Sequence, residues 1–183
     1  RDEAYIGVLI DDLITKGTKE PYRMFTSRAE YRTLLRQDNA DFRLTSKSFD
    51  LGLATKERMD TMDKKQKQSD AFIQFFKKTS VSPAVLNPIL ESKKSSPVKQ
   101  TDKLFKPFSR PNITMDDMRK IKEVDDFIIK HELDNEAIEQ TEIQVKYSGY
   151  IEKERNNADK LNRLEGIKIP ENFDYTKLKS LSY

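Results

Sequence analysis

The chain has 183 residues, of which 36% are charged and 36% hydrophobic, and its formal net charge is +3. It has no cysteine and one histidine, so disulfides, thiolate zinc sites and any centre that needs two imidazoles are excluded. No run of about 18 apolar residues occurs, so no membrane span is expected.

Helices are favoured over sheets, because only five glycines occur and the charged stretches are long. We therefore predict an all-α, elongated, multi-helix protein. The first helix is predicted over residues 4–16, with Gly17 as its C-cap. Its apolar positions are Ile6, Ile10, Leu13 and Ile14. A short strand within YIGVLI near the N-terminus is the alternative, because Ile and Val also favour sheets.

Positive charge is concentrated between Lys16 and Lys47. This stretch has eight basic and four acidic side chains, a local charge of +4, whereas the remainder of the chain sums to −1. Such a local patch is typical of surfaces that bind phosphate groups.

Within the basic stretch, SRAE at residues 27–30 matches a capping box and predicts a helix from about residue 28 to residue 38. Arg28, Arg32 and Arg36 follow one another at four-residue intervals. On a helix they form one row with a spacing of about 6 Å, similar to the spacing of phosphates along a nucleic-acid strand.

Aromatic residues near this row add a second indication of nucleic-acid binding, since unpaired RNA bases stack on aromatic rings. The rings in question belong to Tyr22, Phe25 and Tyr31. The alternative is an ordinary solvated helix face on which Glu30 and Asp38 pair with the arginines. Spacing alone favours this alternative.

Two further helices are predicted between residues 42 and 79. The first, FRLTSKSFDLGL, ends at Gly52. The second begins at Thr55 as its N-cap and reaches about Thr79. Its apolar side consists of Met59, Met62, Phe72, Phe75 and Phe76.

Prolines divide the chain after residue 82. Ser82 and Pro83 begin a short helix that Pro88 is predicted to interrupt. The segment of about 91–112 is polar, basic and proline-rich, and we predict an exposed connector with one short helix around Leu104 and Phe105.

The last predicted helices run from Thr114 to about Lys130, and from Asp134 to about Leu164. The first has two acidic residues in its opening turn, which suits the helix dipole. His131 falls near a helix C-terminus, where histidine is common for the same reason.

Patterns that carry catalysis do not occur in the sequence: there is no GxGxxG, Walker or GxSxG motif. Asp11 and Asp12 are interpreted as one partly buried and one solvated carboxylate. Adjacent helical residues point about 100° apart and rarely share a metal. The residues themselves therefore indicate no catalytic or metal centre.

The amino-acid sequence of the N-terminal third identifies a family more specifically than the spacing of its charged residues does. Residues 2–45, from DEAYIGVLIDDL to NADFRLT, resemble the signature stretch of the MnmG/GidA family. Two later blocks agree: IQVKYSGYIEKE at 143–154 and IPENFDYTKLKSLS at 169–182. Residues 55–142 match mainly in helical character, and Thr33 stands where an apolar residue is expected.

The resemblance implies the C-terminal portion of a cytoplasmic, FAD-dependent enzyme that forms carboxymethylaminomethyl uridine at the tRNA wobble position. The parent enzyme would be a homodimer that uses FAD and NADH and works with the GTPase MnmE. The flavin domain would lie before Arg1 and a last helical segment after Tyr183. The chain alone is then expected to be non-catalytic and to bind no cofactor.

The same resemblance implies a domain division. Residues 1–54 would be the segment that leaves the FAD domain and contains the arginine row. Residues 55–183 would be the C-terminal helical domain, truncated at its end, with the connector at about 91–112.

The resemblance makes tRNA binding the favoured interpretation of the basic stretch. It implies that the phosphates of the anticodon stem-loop are held by six cations: Lys16, Lys19, Arg23, Arg28, Arg32 and Arg36. Some of these cations would contact the flavin domain instead. The rival interpretation is a helical protein-interaction module that binds no RNA. It would use the long helix from Asn135 to Leu164 and the Phe-rich face to dock MnmE or a second MnmG subunit.

Overall fold

The computed structural model describes residues 2–15, 17, 21–24, 31–165 and 168. The described part is mostly helical, with one small sheet, which confirms the all-α prediction. The helices are α1 Tyr5–Thr15, α2 Ala40–Asp50, α3 Lys56–Lys78, α4 Pro83–Ser92, α5 Phe105–Phe108, α6 Met115–Met118, α7 Lys122–Lys130 and α8 Asn135–Glu165. None of these helices is long and apolar enough to cross a membrane.

Helix α1 replaces the strand that was the alternative for YIGVLI, so a strand near the N-terminus is wrong for the described residues. The helix is closed by Gly17, whose φ is +62° and whose N–H donates to the Asp12 carbonyl at 3.1 Å. The predicted apolar face is largely exposed: Ile6 is 65% and Ile14 is 77% accessible. Val8, on another side of the helix, is buried instead.

Helices α2 and α3 begin and end close to the predicted positions. Gly52, with a φ of +73°, follows α2. The Thr55 hydroxyl accepts a hydrogen bond from the Arg58 N–H at 3.3 Å and caps α3. The predicted division at residues 54 and 55 falls between these helices and stays a prediction.

Two predictions about helix breaks are wrong. Helix α4 continues through Pro88. The helix predicted from Thr114 to Lys130 is divided into α6 and α7, because Ile121 has an extended ψ of 118°. The start of α6 is as predicted, with a full capping box between Thr114 and Asp117. His131 lies at the C-cap of α7, also as predicted.

The prediction of an exposed connector at 91–112 is wrong for its second half. Leu104 and Phe108 are fully buried in the main core, and the short helix predicted there is α5. Just before it, strand β2, Asp102–Lys103, pairs antiparallel with strand β1, Ser80–Val81. Apolar burial of Leu104 and Phe108 therefore outweighs the polar composition of the segment around them.

The main core is formed by residues of α3 to α8. It is built around Phe72 and Phe76 of α3, both fully buried. The Phe76 ring stacks on Phe108 with a centroid distance of 4.6 Å. Helix α8 packs along α3, and the buried hydroxyls of Ser69 and Thr141 lie 3.2 Å apart.

A second, smaller core holds the N-terminal part of the chain against the end of α8. It consists of Val8 from α1, Tyr31, Leu35 and Ala158 from α8. This cluster fixes the position of the basic segment relative to the long helix.

Candidate nucleic-acid interface

The segment 31–38, called here the Arg32 loop, forms turns rather than a helix. Tyr31 has a φ of +59°, which is incompatible with an α-helix. The helix predicted from about residue 28 to 38 is therefore wrong over 31–38, while residues 28–30 lie outside the described part. The capping-box pattern at 27–30 missed this because the burial of Tyr31 and Leu35 in the smaller core is a tertiary effect.

Contacts with α8 hold the Arg32 loop in place. Tyr31 is 8% and Leu35 is 1% exposed, and both belong to the smaller core that includes Ala158 of α8. The Glu154 carboxylate accepts a hydrogen bond from the Thr33 N–H at 3.0 Å. Thr33, which stands where an apolar residue was expected, thus contributes its backbone to the contact with α8.

Arg36 is bound to the loop itself. Its guanidinium donates to both Asp38 carboxylate oxygens, at 3.0 and 3.1 Å, and to the Thr33 carbonyl at 2.6 Å. The side chain is only 16% exposed. Arg36 therefore closes the Arg32 loop and does not project from it.

Asp38 is the partner that organises this end of the loop. Burial by itself raises the pKa of Asp38, but hydrogen bonds from Arg36 and Gln140 outweigh it and hold the pKa below its usual value. The Gln140 amide of α8 donates to the Asp38 carbonyl at 2.8 Å and to its carboxylate at 3.1 Å. Sequence spacing gave no sign that Gln140, 102 residues away, supports the loop.

Arg43 of α2 links the loop to the N-terminal end of the chain. Its guanidinium donates to the Asn39 side chain at 2.9 Å, to the Arg36 carbonyl at 3.0 Å and to the Glu3 carbonyl. Lys47 pairs with the Glu3 carboxylate at 2.5 Å. Cations of the basic stretch thus differ in role, and some of them hold the fold.

Arg32 differs from Arg36. It is exposed, and it has no hydrogen bond or ion pair within the described part of the chain. Arg23 is also exposed and has an interaction of its own. Of the six cations predicted to bind tRNA, Lys16, Lys19 and Arg28 lie outside the described residues.

The predicted stacking residues are not equivalent either. Tyr31 is buried in the smaller core and does not offer its ring to a base. The Tyr22 hydroxyl donates to the buried Asp12 carboxylate at 2.8 Å. Asp12 is 3% exposed and Asp11 partly exposed, so the pair is more buried than the predicted one partly buried and one solvated carboxylate. Phe25 lies outside the described residues.

A groove of about 710 Å³ lies beside the loop, between α2, α3 and α8. Its walls carry charges of both signs, among them Arg36, Arg43, Asp70, Lys77, Glu152 and Arg155. This mixture does not single out an anion or a cation as ligand.

The described residues do not fit a metal or a flavin. No group of three or more His, Asp or Glu side chains that suits a metal ion occurs among them. The sheet they contain has two antiparallel strands of two residues each, and the sequence has no glycine-rich dinucleotide loop.

Comparison with known proteins gives one family. A family model described as "tRNA modifying enzyme MnmG/GidA C-terminal helical domain" matches residues 56–155. The chain is 68% identical over 183 residues to a tRNA uridine 5-carboxymethylaminomethyl modification enzyme MnmG of Christiangramia forsetii. It is 68% identical over 182 residues to a protein of the same name in Flavobacterium johnsoniae.

The structural comparison agrees. The crystal structure of Aquifex aeolicus GidA matches 99% of the chain with a TM-score of 0.70 and 36% identity. The chain covers 27% of that protein and 29% of the length of each of the two relatives. It thus spans less than a third of the proteins that it resembles.

Proposed function

Because this chain belongs to the MnmG/GidA family of tRNA-modifying enzymes, with a match to its C-terminal helical domain, we propose that it holds tRNA for wobble-uridine modification. In this proposal the chain binds the anticodon stem-loop, and the FAD- and NADH-dependent chemistry belongs to the parent enzyme. The chain itself contributes no catalytic group. MnmE and a second parent subunit are the proposed protein partners.

The exposed Arg32 guanidinium is the observation that carries the proposal. The backbone beside it is fixed by the Glu154–Thr33 hydrogen bond and by the buried Tyr31 and Leu35, so the charge stands on a rigid support. A cation without an internal partner keeps its attraction for phosphate, and a fixed backbone lowers the entropy lost on binding.

The other predicted cations take different parts in the proposal. Arg23 is exposed and lies on the same stretch, so it is proposed as a second phosphate contact. Lys16, Lys19 and Arg28 retain the role given by the family resemblance. Arg36 is proposed to position the Arg32 loop, because its donors already serve Asp38 and Thr33.

Replacing Arg32 by alanine is the direct test. We expect tRNA affinity to fall several-fold and the slope of log affinity against log salt to decrease by about 1, as for the loss of one phosphate contact. Filter binding across a salt series measures both quantities.

Arg58→Ala is a matched control for Arg32→Ala. Arg58 is also exposed and has no ion pair within the described residues. It lies seven residues, or about 10 Å, before Lys65 on α3, and Lys65 pairs with Asp41 near the Arg32 loop. Equal losses in Arg32→Ala and Arg58→Ala would mean that tRNA senses only net charge, and no loss in Arg32→Ala would remove Arg32 from the interface.

A different result is expected for Arg36→Ala. Loss of its bonds to Asp38 should lower the free energy of unfolding by about 1–2 kcal/mol, since a half-buried carboxylate loses a bidentate partner. Arg32→Ala should leave that free energy unchanged. Urea denaturation separates the two, and an Arg36→Ala protein of normal stability that binds no tRNA would make Arg36 a contact residue.

A protein-interaction module is the second candidate. The Phe-rich face predicted for it is buried in the main core, but α1 leaves apolar side chains exposed. Ile6 is 65%, Ile10 53% and Ile14 77% accessible. This face would suit a protein surface of the parent enzyme or of MnmE. Pull-down with MnmE and with a complete MnmG, set beside a tRNA gel shift, distinguishes the candidates: protein capture without any shift would favour the module.

A further inference from the structure

We propose that Tyr147 and Tyr150 of α8 form a stacking platform for unpaired bases of the bound tRNA loop. The inference rests on the tRNA-binding function proposed above and adds the contact that reads unpaired RNA. It assigns stacking to residues outside the basic stretch, in place of the buried Tyr31.

The two rings are available for stacking. Tyr147 is 48% and Tyr150 is 69% exposed, and their ring centroids lie 6.3 Å apart at an interplanar angle of 54°. Neither hydroxyl has a hydrogen-bond partner within the described part of the chain. Because the rings are tilted toward each other, a base would stack on an outer ring face rather than slide between them.

The platform continues into the candidate interface. Tyr147, Tyr150 and Glu154 are spaced three and four residues apart and so share one face of α8. Glu154 accepts the hydrogen bond from Thr33, the neighbour of Arg32. Along the helix axis, Tyr150 lies about 6 Å and Tyr147 about 10 Å from that point. A strand held at Arg32 can therefore reach the rings within one or two nucleotides.

Cations border this face of α8, and its one carboxylate among the residues named above, Glu154, is bound to the Thr33 N–H. Lys153, three residues after Tyr150, is exposed and has no ion pair within the described residues. Arg32 lies beyond the Glu154 end of the pair. Both cations thus lie toward the Glu154 end of the two rings, and basic and aromatic side chains occur together where single-stranded nucleic acid binds.

A partner helix fits this face less well. A packed helix would follow the same stripe along α8, which continues through Glu154 and Asn157 before Leu161. A carboxylate and an amide would then occupy the middle of the seam, where coiled-coil packing requires apolar residues. Tyrosine, with a polar hydroxyl and a flat ring, suits a base at the edge of water.

The test compares two RNAs with equal numbers of phosphates: an anticodon stem-loop and a fully paired duplex. Tyr147→Ala/Tyr150→Ala is expected to weaken stem-loop binding by roughly 5- to 150-fold, the range for loss of base stacking, and to leave duplex binding unchanged. Phenylalanine at both positions should restore binding, whereas leucine should not. The slope against log salt should stay at the wild-type value, since stacking releases no counterions.

Tyr5→Ala is the matched control, because Tyr5 is a 40% exposed tyrosine on α1. The platform is overturned if the double alanine variant binds the stem-loop like wild type, or if leucine substitutes for tyrosine. The platform is also overturned if the double alanine variant binds RNA normally but sedimentation shows that it no longer self-associates. Wild type that binds neither RNA would refute the proposed function itself, an outcome separate from the first three.

Discussion

The Phe76→Ala variant is expected to lose about 3–5 kcal/mol of unfolding free energy, the range for removing a fully buried phenylalanine. Phe76 is fully buried and its ring contacts Phe72 at 4.9 Å and Phe108 at 4.6 Å between centroids. It joins α3 to the segment that contains α5, so its loss leaves a cavity between them. Urea denaturation followed by circular dichroism measures the change.

Phe49→Ala provides the control for this prediction. Phe49 lies on α2 and is 39% exposed, so its removal should cost much less than that of Phe76. If both variants lose the same free energy, or if Phe76→Ala loses less than about 1 kcal/mol, the main core is not centred on α3 and α5 as described.

Asp117→Asn is the second substitution with a large expected effect, about 1–3 kcal/mol at neutral pH. The Asp117 side chain is 2% exposed and pairs with Lys120 at 2.9 Å and Lys93 at 3.1 Å. It also accepts hydrogen bonds from the Thr114 N–H and hydroxyl in the capping box of α6. Asparagine keeps the shape but removes the charge that these donors surround.

The effect of Asp117→Asn should depend on pH in a defined direction. Burial by itself raises the pKa of Asp117, but hydrogen bonds from Lys120, Thr114 and Lys93 outweigh it and hold the pKa far below its usual value. Below about pH 4, Asp117 becomes protonated in the unfolded chain while it stays ionised in the folded chain. Falling pH therefore favours unfolding. The stability difference between wild type and Asp117→Asn should be constant above about pH 5 and shrink below pH 4.

Asp116→Asn is the control for this pH dependence, since Asp116 is adjacent in sequence and exposed. Denaturation midpoints at a series of pH values compare the two. A difference for Asp117→Asn that does not shrink in acid would mean that its carboxylate is not held ionised by Lys93 and Lys120.

Capping residues and glycines in the sequence correctly predicted several helix ends. Thr55 caps α3, Thr114 and Asp117 form the capping box of α6, and Gly17 and Gly52 take the positive φ that a helix end needs. The length of α8 followed from its uninterrupted helical pattern. At the two caps, residues within one turn of each other supply the determining contact.

Predictions failed where distant contacts decide the conformation. The capping-box pattern at 27–30 and the four-residue spacing of arginines predicted a helix through residue 38. Tyr31 is buried in the smaller core with a positive φ, and the chain forms turns there instead. Likewise, Leu104 and Phe108 enter the core from a segment whose proline and lysine content predicted exposure. Neighbouring residues in the sequence do not show which side chains will be buried by contacts with distant parts of the chain.

The sequence predicted which stretch of the chain, Lys16 to Lys47, contains the candidate site, but not the role of each side chain in it. The distribution of charged residues located the basic segment, and the amino-acid sequence of that segment indicated the family. The division between Arg32, which projects, and Arg36, which binds Asp38, depends on Gln140 and Glu154 from α8. The exposed pair Tyr147 and Tyr150 had a visible signal, aromatic residues at helical spacing in KYSGY, but spacing does not tell an exposed face from a buried one.

The binding of tRNA to the wild-type chain, measured by filter binding across a salt series, tests the central claim most directly. The proposal predicts measurable binding at low salt, with log affinity falling linearly against log salt at a slope of about −0.7 to −0.9 per phosphate contacted. Absence of binding at low salt, or affinity that does not change with salt, would contradict tRNA holding by this chain.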